Sequence, residues 1–274
     1  MTEIANFRQA RAWNGPFGAH RAAHADRYDA MLAELDDVLF DAAAVTVADR
    51  VLDVGCGSGA TTRIAARRAA RSHVVGVDIS APLLRLARER TAAERLTNVA
   101  YVEADAQVHP FPAAGYDVVV SRGGVMFFAD HAVAFANLAR ALRPGGRLVF
   151  VCPRPAGPDS EEVRAFAPFA RLLGTPDADA VAAHTAMMSL SDPAAVQQAL
   201  DGYKDVTVER VDVGTVWGRD AADAAGFVLS RDTSGRTFSP AVRAELADAL
   251  SPYESPRGVR LRTGVWLVRA TRPE

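Results

Sequence analysis

Residues 51–62 place one acidic side chain and a set of glycines where they could bind a nucleotide-like ligand. The apolar run 51–54 contains the carboxylate of Asp53, is followed by the glycine-rich residues 55–59, and leads into the helix-compatible segment 60–71. This order predicts a strand, a tight turn and a helix start, where backbone N–H groups are exposed to a ligand. A carboxylate at the end of a buried strand is costly unless a cation meets it. Asp53 therefore favours a ligand with a positively charged group over a pyrophosphate.

Two further acids follow at the ends of the next two predicted strands. Asp78 ends the apolar run 73–78, 25 residues beyond Asp53, and Asp105 ends the run 99–105. In a doubly wound sheet, an acid after the second strand can accept hydrogen bonds from both hydroxyls of a ribose. Ligands of such sheets bind at the carboxyl ends of the strands, so we expect the three acids to face one ligand.

The elements that must position these acids alternate between strands and helices. This alternation predicts an α/β fold with a doubly wound, Rossmann-like, seven-stranded and mostly parallel sheet and helical lid insertions. Apolar residues at helical spacing over 26–45 predict an amphipathic helix ahead of the sheet. Beyond the first three strands, the pattern predicts strands at 116–121, 147–152, 205–217 and 264–270, and helices at 160–173, 176–188, 192–200, 221–230 and 240–250.

The 274 residues divide into four expected segments. They are an N-terminal helical lid at 1–45, a ligand-binding Rossmann-like core at 46–153, a helical substrate cap at 154–204, and C-terminal strands with a helical insert at 205–274. The first segment and the cap both attach near the carboxyl ends of the strands. We expect them to close over the ligand from opposite sides.

The composition favours one enzyme domain with embellishments over a membrane or nucleic-acid-binding protein. The chain has 31 basic and 33 acidic residues, a net charge of −2, so no global attraction to nucleic acid is expected. No apolar run approaches the roughly 20 residues needed to span a bilayer, and residues 1–8 lack the apolar core of a signal peptide. Cys56 and Cys152 are too few for a disulfide framework and suit a reducing compartment. We therefore expect a cytoplasmic protein, a monomer or a homodimer, without membrane partners.

The glycine-rich loop and its three acids resemble the cofactor site of class I S-adenosylmethionine-dependent methyltransferases. The resemblance implies S-adenosylmethionine as the cofactor, with Asp53 toward its ammonium group, Asp78 on the ribose hydroxyls and Asp105 on the adenine amino group. It also implies methyl transfer by in-line SN2 displacement, because the sulfonium makes the methyl carbon electrophilic. The residues expected to bind this cofactor are Tyr28, Asp53, Gly55, Cys56, Gly57, Thr61, Asp78, Ile79, Asp105, Ala106 and Ser121.

Motifs outside the glycine loop are similar to those of a bacterial methyltransferase subfamily. They are Ala-Trp-Asn-Gly at 12–15, Arg-Tyr-Asp at 27–29, the segment 121–128 after the fourth strand, and the C-terminal runs 258–261 and 265–268. The chain departs from this subfamily at Arg21, where Trp is common, and at Gly123, where Phe is common. Both positions are expected to face substrate. The resemblance therefore leaves the acceptor open, and its reacting atom open among carbon, oxygen and nitrogen.

Four side chains are candidates for assisting the transfer: His20, His24, Tyr28 and Arg122. Either histidine could act as a general base or be an ordinary loop histidine. Tyr28 could cover the methionine end of the cofactor or belong to the core beneath the first helix. Arg122 could bind a carboxylate of cofactor or substrate, or form an ion pair with Asp117 or Asp130.

Aromatic and methionine side chains in the flanks and after the fourth strand favour an apolar acceptor. These side chains could stack on an aromatic substrate or serve as ordinary packing. The histidine spacing makes no zinc site and no carboxylate cluster indicates magnesium, so no metal is expected. The substrate candidates are Trp13, Phe17, Met126, Phe169 and Met187.

Methylation of a small organic acceptor, expected to be a natural product or secondary metabolite, is the predicted function. The run 121–124, Ser-Arg-Gly-Gly, differs from the Asn/Asp-Pro-Pro-aromatic run of enzymes that methylate amines of nucleic-acid bases. Two alternatives stay open. One is a methyltransferase that acts on a protein or RNA. The other is an NAD-dependent oxidoreductase, because Gly55, Gly57 and Ala60 also fit the looser dinucleotide fingerprint.

Overall fold

A computed structural model describes residues 3–174, 178–232 and 235–274, which are organised around one sheet. Its strands are β1 (Val51–Val54), β2 (Val74–Asp78), β3 (Val99–Glu103), β4 (Tyr116–Arg122), β5 (Leu142–Pro153), β6 (Lys204–Gly218), β7 (Glu254–Ser255) and β8 (Gly258–Thr271). They lie in the order β3-β2-β1-β4-β5-β8-β6, with β1 to β5 parallel and β8 antiparallel to both of its neighbours. The predicted seven-stranded, mostly parallel sheet is confirmed. The two-residue β7, paired with β8, adds an eighth strand.

The central strands are valine-rich because both of their faces are covered, as is usual in parallel sheets. All four residues of β1 are buried, and Val118, Val119 and Val120 of β4 have no exposed surface. The register places Asp53 between Gly76 of β2 and Val120 of β4. Asp53 is therefore an interior residue of the sheet, and its side chain has no exposed surface.

Helices flank the sheet and extend beyond it. They are α1 (Phe7–Asn14), α2 (Pro16–Ala23), α3 (Ala25–Met31), α4 (Ala33–Ala43), α5 (Ala60–Arg68), α6 (Ala81–Ala93), α7 (His131–Ala141), α8 (Glu161–Leu173), α9 (Ala178–Met187), α10 (Pro193–Ala199), α11 (Ala221–Ser230) and α12 (Pro240–Leu250), with 3-10 turns at Val125–Phe127 and Ser251–Tyr253. Pro176, at the start of one predicted helix, lies outside the described residues.

The single helix expected over 26–45 is instead two helices, α3 and α4, that break at Leu32. Its φ of −101° and ψ of 8° depart from helical geometry. The break lets Tyr28 and Met31 pack outside the sheet, whereas Leu39 and Phe40 of α4 pack on it. The apolar pattern is continuous over 26–45, but the chain forms two helices because its two halves pack against different surfaces.

Apolar side chains cover both faces of the sheet. Alternate residues of β4 point to opposite faces and show which helices pack on each. Val118 and Val120 pack with Phe40 of α4 and other apolar residues of α4 and α5. Val119 points the other way and packs with Phe135 of α7 and residues of α7 and α10. The sheet therefore forms the middle of three layers.

A second apolar cluster lies outside the sheet, among helices α3, α8, α11 and α12. Tyr28, Phe169, Phe227 and Leu250 belong to it, together with Trp217 near the end of β6. We call α8, α11 and α12 the cap; the substrate cap expected at 154–204 shares only α8 with this set. The cluster joins the N-terminal helices to the cap, above the carboxyl ends of the parallel strands.

Candidate active site

A cavity of about 510 Å³ opens at the carboxyl ends of β1, β2 and β4. The loops after these strands contribute Gly57, Asp78 and Arg122 to its wall. Helices α1 and α3 contribute Trp13 and Tyr28, and further wall residues come from the cap and from β6 and β8. This is the position at which open parallel sheets bind ligands.

The glycine-rich loop faces the cavity with its backbone. Gly57 has a φ of +53°, and a Cβ added there would meet only Leu83 Cδ1, at 4.0 Å. Gly55, with a φ of +68°, packs so closely that an added Cβ would lie 2.6 Å from Gly124 Cα. Gly55 is therefore needed for packing within the protein, whereas Gly57 leaves backbone accessible to a ligand.

The carboxylate of Asp78 ties the glycine loop to the end of β2. Oδ2 accepts a hydrogen bond from Gly57 N at 2.7 Å, and Oδ1 accepts one from Ser80 N at 2.8 Å. Burial raises the pKa of Asp78, and these backbone donors oppose the rise. Each carboxylate oxygen keeps a free acceptor position. Asp78 therefore presents two acceptors at the cavity wall, as many as a pair of ribose hydroxyls requires.

Asp53 is fully buried and only half satisfied. Thr61 Oγ1 and Thr62 Oγ1 both donate to its Oδ2, at 2.7 and 2.6 Å. Within the described chain, Asp53 Oδ1 is the only buried side-chain oxygen without a hydrogen-bond partner. Burial raises the pKa of Asp53 to about 6, although Thr62, Thr61 and the charge of Arg122 oppose the rise. A free carboxylate oxygen directly behind the cavity wall fits a cationic group of a ligand.

Asp105 is held by the N-terminal segment. Its Oδ2 accepts hydrogen bonds from Ala5 N at 2.9 Å and Asn6 N at 2.8 Å, and its Oδ1 accepts one from Gln107 N at 3.0 Å. Asn6 Nδ2 also donates to Phe127 O at 2.6 Å. One acceptor position on Oδ1 remains for the adenine amino group that the resemblance assigns to Asp105, and that role stays a prediction.

The other cofactor candidates divide between the cavity wall and the layer behind it. Ser121 is buried: its Oγ donates to Val54 O at 2.8 Å and accepts from Gly124 N at 3.1 Å, which fixes the loop after β4. Burial raises the pKa of the Cys56 thiol well above its usual range, so this thiol is unreactive. Gly55, Gly57, Asp78, Ile79, Asp105, Ala106 and Tyr28 line the cavity, whereas Asp53, Cys56, Thr61 and Ser121 lie behind its wall.

Tyr28 lines the cavity, and His20 lies behind it. Tyr28 Oη is 3.5 Å from His20 Nδ1, and His20 Nε2 is 3.0 Å from Ser230 Oγ. Because the Ser230 hydroxyl donates to Phe227 O at 2.7 Å, His20 Nε2 is the donor to Ser230. We therefore assign the Nε2–H tautomer, which leaves Nδ1 as an acceptor facing the tyrosine hydroxyl.

The environment keeps His20 neutral. Burial, followed by the charges of His24, Arg231 and Arg21, lowers the pKa of His20 to about 4. The His24 ring lies 4.4 Å from the His20 ring and is not part of the cavity wall. Of the two histidine candidates, the structure brings His20 next to a cavity residue and leaves His24 one layer further out.

Arg122 lines the cavity but forms neither of the ion pairs considered from the sequence. Its Nη1 lies 2.8 and 2.9 Å from the two carboxylate oxygens of Asp36, and its Nη2 lies 3.1 Å from Asp29 Oδ1. Asp117 pairs with two other arginines, and Asp130 caps the start of α7. Helix α4 brings Asp36 across the end of β4. Two carboxylates therefore balance the charge of Arg122.

Aromatic and methionine side chains form much of the remaining wall. The Trp13 ring lies 4.8 Å from that of Phe17 and 5.5 Å from that of Phe127, in edge-on contacts. Met126 and Met187 also line the cavity. Phe169 is buried in the cluster beneath the cap rather than in the cavity wall. A wall in which apolar side chains predominate around defined polar groups is typical of small-molecule sites.

Sequence reasoning missed polar residues that reach the site from distant elements. Asn14 Nδ2 donates to Ile79 O at 2.9 Å and its Oδ1 accepts from Ala81 N at 3.0 Å. These two hydrogen bonds attach α1 to the loop after β2. The Ala-Trp-Asn-Gly motif was the signal for this residue. Glu162 and Arg231 of the cap region also line the cavity, and no local pattern distinguished them from surface charges.

Across the described residues, no group of three or more His, Cys, Asp and Glu side chains is arranged to hold a metal ion. No helix among them combines the length and the apolar character needed to cross a bilayer. Cys56 and Cys152 are both free and buried.

Comparisons with known proteins point to one family for the central part of the chain. Residues 52–150 match the family model described as a methyltransferase domain. The demethylmenaquinone methyltransferase of Thermus thermophilus is 40% identical over 110 residues, which cover 39% of this chain and 50% of that protein. The aklanonic acid methyltransferase of a Streptomyces species is 34% identical over 116 residues, which cover 42% of this chain and 53% of that protein. The chain thus spans about half the length of these curated relatives.

A solved structure extends the likeness over nearly the whole chain. The phosphoethanolamine N-methyltransferase 2 of Haemonchus contortus, in complex with S-adenosyl-L-methionine, matches with a TM-score of 0.61 at 19% identity. The match covers 99% of this chain and 61% of that chain. At this identity the likeness shows the fold alone, including the flanking helices that the family model does not reach.

Proposed function

We propose that this chain, in which residues 52–150 form a class I S-adenosylmethionine-dependent methyltransferase domain, methylates a small organic acceptor. When bound, S-adenosylmethionine supplies an electrophilic methyl group and a thioether leaving group. One observation carries the proposal: a single cavity is lined both by the glycine loop with Asp78 and by aromatic and methionine side chains. Two relatives are named for small molecules, demethylmenaquinone and aklanonic acid.

Each chemical group of the cofactor has a suitable residue at the base of the cavity. The unpartnered Oδ1 of Asp53 suits an ammonium group, which would stabilise the buried charge of that carboxylate. The two free acceptor positions of Asp78 suit a pair of ribose hydroxyls. The accessible backbone at Gly57 lets a ligand approach closely. We therefore assign Asp53, Gly57 and Asp78 to cofactor binding, and Asp105 to the adenine side.

The acceptor occupies the rest of the cavity in this proposal. Trp13, Phe17, Met126 and Met187 would hold an apolar or aromatic body and exclude water, and positioning is most of what methyl transfer requires. A natural product or other secondary metabolite fits such a wall. We further propose that the chain works in the cytoplasm, where two free buried cysteines stay reduced.

Tyr28 and His20 form a hydrogen-bonded pair at the cavity wall. The Tyr28 hydroxyl faces the Nδ1 acceptor of His20 at 3.5 Å, so His20 fixes the orientation of that hydroxyl. Burial and neighbouring positive charges lower the pKa of His20 to about 4, which makes it neutral and a weak base at pH 7, so we propose that it orients Tyr28 rather than takes up the proton of the acceptor. In this role Tyr28 contacts the acceptor, and His20 acts through Tyr28.

Calorimetry and a labelling assay test the proposal together. We expect S-adenosylhomocysteine and S-adenosylmethionine to bind the purified chain and NAD not to bind. With S-adenosylmethionine labelled in its methyl group, label should enter the organic-soluble fraction of a bacterial extract rather than its protein or RNA fractions. Binding of NAD alone would favour an oxidoreductase, and label in protein or RNA would favour a macromolecular acceptor.

A further inference from the structure

Two arginines face the cavity without a carboxylate partner. Arg21 of α2 and Arg231, which follows α11, both line the cavity, and within the described residues neither forms an ion pair. The other two arginines of the described cavity wall are balanced: Arg122 by Asp36 and Asp29, and Arg154 by Asp212. Unpaired guanidinium groups in a partly apolar cavity are costly unless a ligand supplies the anion.

Aromatic rings hold both guanidinium groups in place. Arg21 Cζ lies 3.7 Å from the centre of the Tyr28 ring and 5.8 Å from that of Trp13. Arg231 Cζ lies 5.7 Å from the centre of the Trp217 ring. Arg21 also donates a hydrogen bond to Tyr28. Stacking orients a guanidinium by its face and leaves the remaining N–H donors of its edge for a planar anion.

The two arginines lie close enough to repel each other. Burial lowers the pKa of Arg21, and the charges of Arg122 and Arg231 lower it further. Glu162 of α8 is the nearby acid: burial raises its pKa and Arg231 opposes the rise. Asp78, on the cofactor side, is the acid that interacts with Arg21. Neither acid forms an ion pair with these guanidinium groups in the described part of the chain, so the acceptor half of the cavity has an excess of positive charge.

We propose that the methyl acceptor is an apolar or aromatic molecule that carries a carboxylate, which Arg21 and Arg231 bind. The inference rests on the proposed function and names the chemical class of its acceptor. The apolar body would lie against Trp13 and the methionine side chains, and the carboxylate would lie toward α2 and the cap.

The carboxylate of the cofactor's methionine is the competing occupant. Arg21 is near enough to Asp78 to lower its pKa, so the cofactor half of the cavity is within its electrostatic reach. Arg231 argues for the acceptor, because it follows α11, a helix that packs on α12 and β6 in the cap region. A carboxylate shared by both arginines therefore lies on the cap side of the cavity.

The test measures binding of two matched probes to the chain saturated with S-adenosylhomocysteine. The probes are 2-naphthoate and its neutral counterpart 2-naphthamide, followed by calorimetry. The wild type should bind the naphthoate at least about tenfold tighter, since charge-assisted hydrogen bonds are the stronger ones. Arg21→Gln should remove that preference and leave naphthamide binding unchanged, and Arg21→Lys should keep part of it. Arg231→Gln should weaken the preference as well.

Arg11→Gln is the matched control, because Arg11 is an exposed residue of α1 that does not line the cavity. It should bind both probes as the wild type does. Equal binding of the two probes by the wild type, or binding of neither, would overturn the inference. A loss of S-adenosylhomocysteine affinity in Arg21→Gln would also overturn it and assign Arg21 to the cofactor carboxylate. Failure of the wild type to bind S-adenosylhomocysteine at all would instead remove the proposed function itself.

Discussion

Asp53 destabilises the free protein in a way that a bound cation would relieve. Burial raises its pKa from 3.8 to about 6, and its Oδ1 has no partner among the described residues. For an acid with a raised pKa, the folded state holds the proton more tightly than the unfolded state does. The stabilisation from this proton is complete below the pKa that Asp53 has in the unfolded chain. It is lost as pH rises through the pKa of Asp53 in the folded protein. The full loss is about 3 kcal/mol for a shift of this size, and most of it falls between pH 4 and pH 7.

Asp53→Asn should remove this pH dependence. Relative to the wild type, the unfolding free energy of the variant should rise by up to about 3 kcal/mol from pH 4 to pH 8, measured by urea denaturation. The variant should also bind S-adenosylhomocysteine at least about tenfold more weakly, because the charge facing the ammonium group is gone.

Asp117→Asn is the control for that titration. Paired arginines lower the pKa of Asp117 to about 2 although burial opposes them, so its effect changes little between pH 4 and pH 8. A difference between Asp53→Asn and the wild type that stays constant with pH would contradict the raised pKa of Asp53.

Asp78 allows a direct test of ribose recognition. Asp78→Ala should weaken S-adenosylhomocysteine binding by at least about tenfold, because two hydroxyl-to-carboxylate hydrogen bonds are lost. Glu103→Ala is the matched control: Glu103 lies beside Asp78 in the sheet register but is exposed and outside the cavity wall. Calorimetry should show a large change for the first variant and none for the second. Equal affinities of Asp78→Ala and the wild type would remove Asp78 from the ribose site.

At the scale of elements, local patterns were enough to predict the strands that carry the acids. Valine-rich runs and left-handed glycines are short-range signals, so β1, the loop after it and β2 follow from neighbouring residues. The break at Leu32 was not predictable, because the apolar spacing of α3 and α4 is continuous and only their different packing surfaces separate them.

Contacts between residues far apart in the chain could not be predicted from the sequence either. Arg122 meets Asp36 across 86 residues, and Asp105 accepts a hydrogen bond from Ala5 across 100. The sequence placed Arg122 and Asp105 at strand ends correctly. It contained no signal for these partners, because the pairing depends on how α4 and the N-terminal segment pack in three dimensions.

The glycine loop gives a prediction at this scale. Gly57→Val should abolish S-adenosylhomocysteine binding and leave a folded protein, because the added side chain meets almost no protein atoms and projects where the ligand must approach. The positive φ of residue 57 adds about 1–2 kcal/mol of strain. Gly202→Val has the same kind of strain, with φ +90° and no atom within 4 Å of an added Cβ, but lies away from the cavity.

Calorimetry and circular dichroism compare the two glycine variants. Gly202→Val should bind normally while showing a similar loss of stability. Normal binding by folded Gly57→Val would mean that the loop does not contact the cofactor.

At the scale of the whole molecule, the N-terminal segment connects two of the acid-bearing regions, those of Asp78 and Asp105, to the cavity wall. Its residues Ala5 and Asn6 bond Asp105, and Asn14 bonds both sides of the loop after β2. The same segment contributes Trp13, Phe17 and Arg21 to the wall. We propose that residues 1–45 form a lid that works with the cap.

Deletion of residues 1–22 tests the lid. The residues assigned to the cofactor's ammonium and ribose remain in the core, so the dissociation constant for S-adenosylhomocysteine should change by less than about tenfold. Methyl transfer should fall by at least about a hundredfold, because one side of the acceptor wall is removed and water is admitted. Phe7→Ala, which alters a side chain that is 72% exposed on α1, should leave both quantities unchanged. Hydrogen exchange on the intact chain should show residues 3–22 protected when S-adenosylhomocysteine and 2-naphthoate are both bound. A truncated chain with full activity would mean that the segment is a dispensable tail and would overturn the lid.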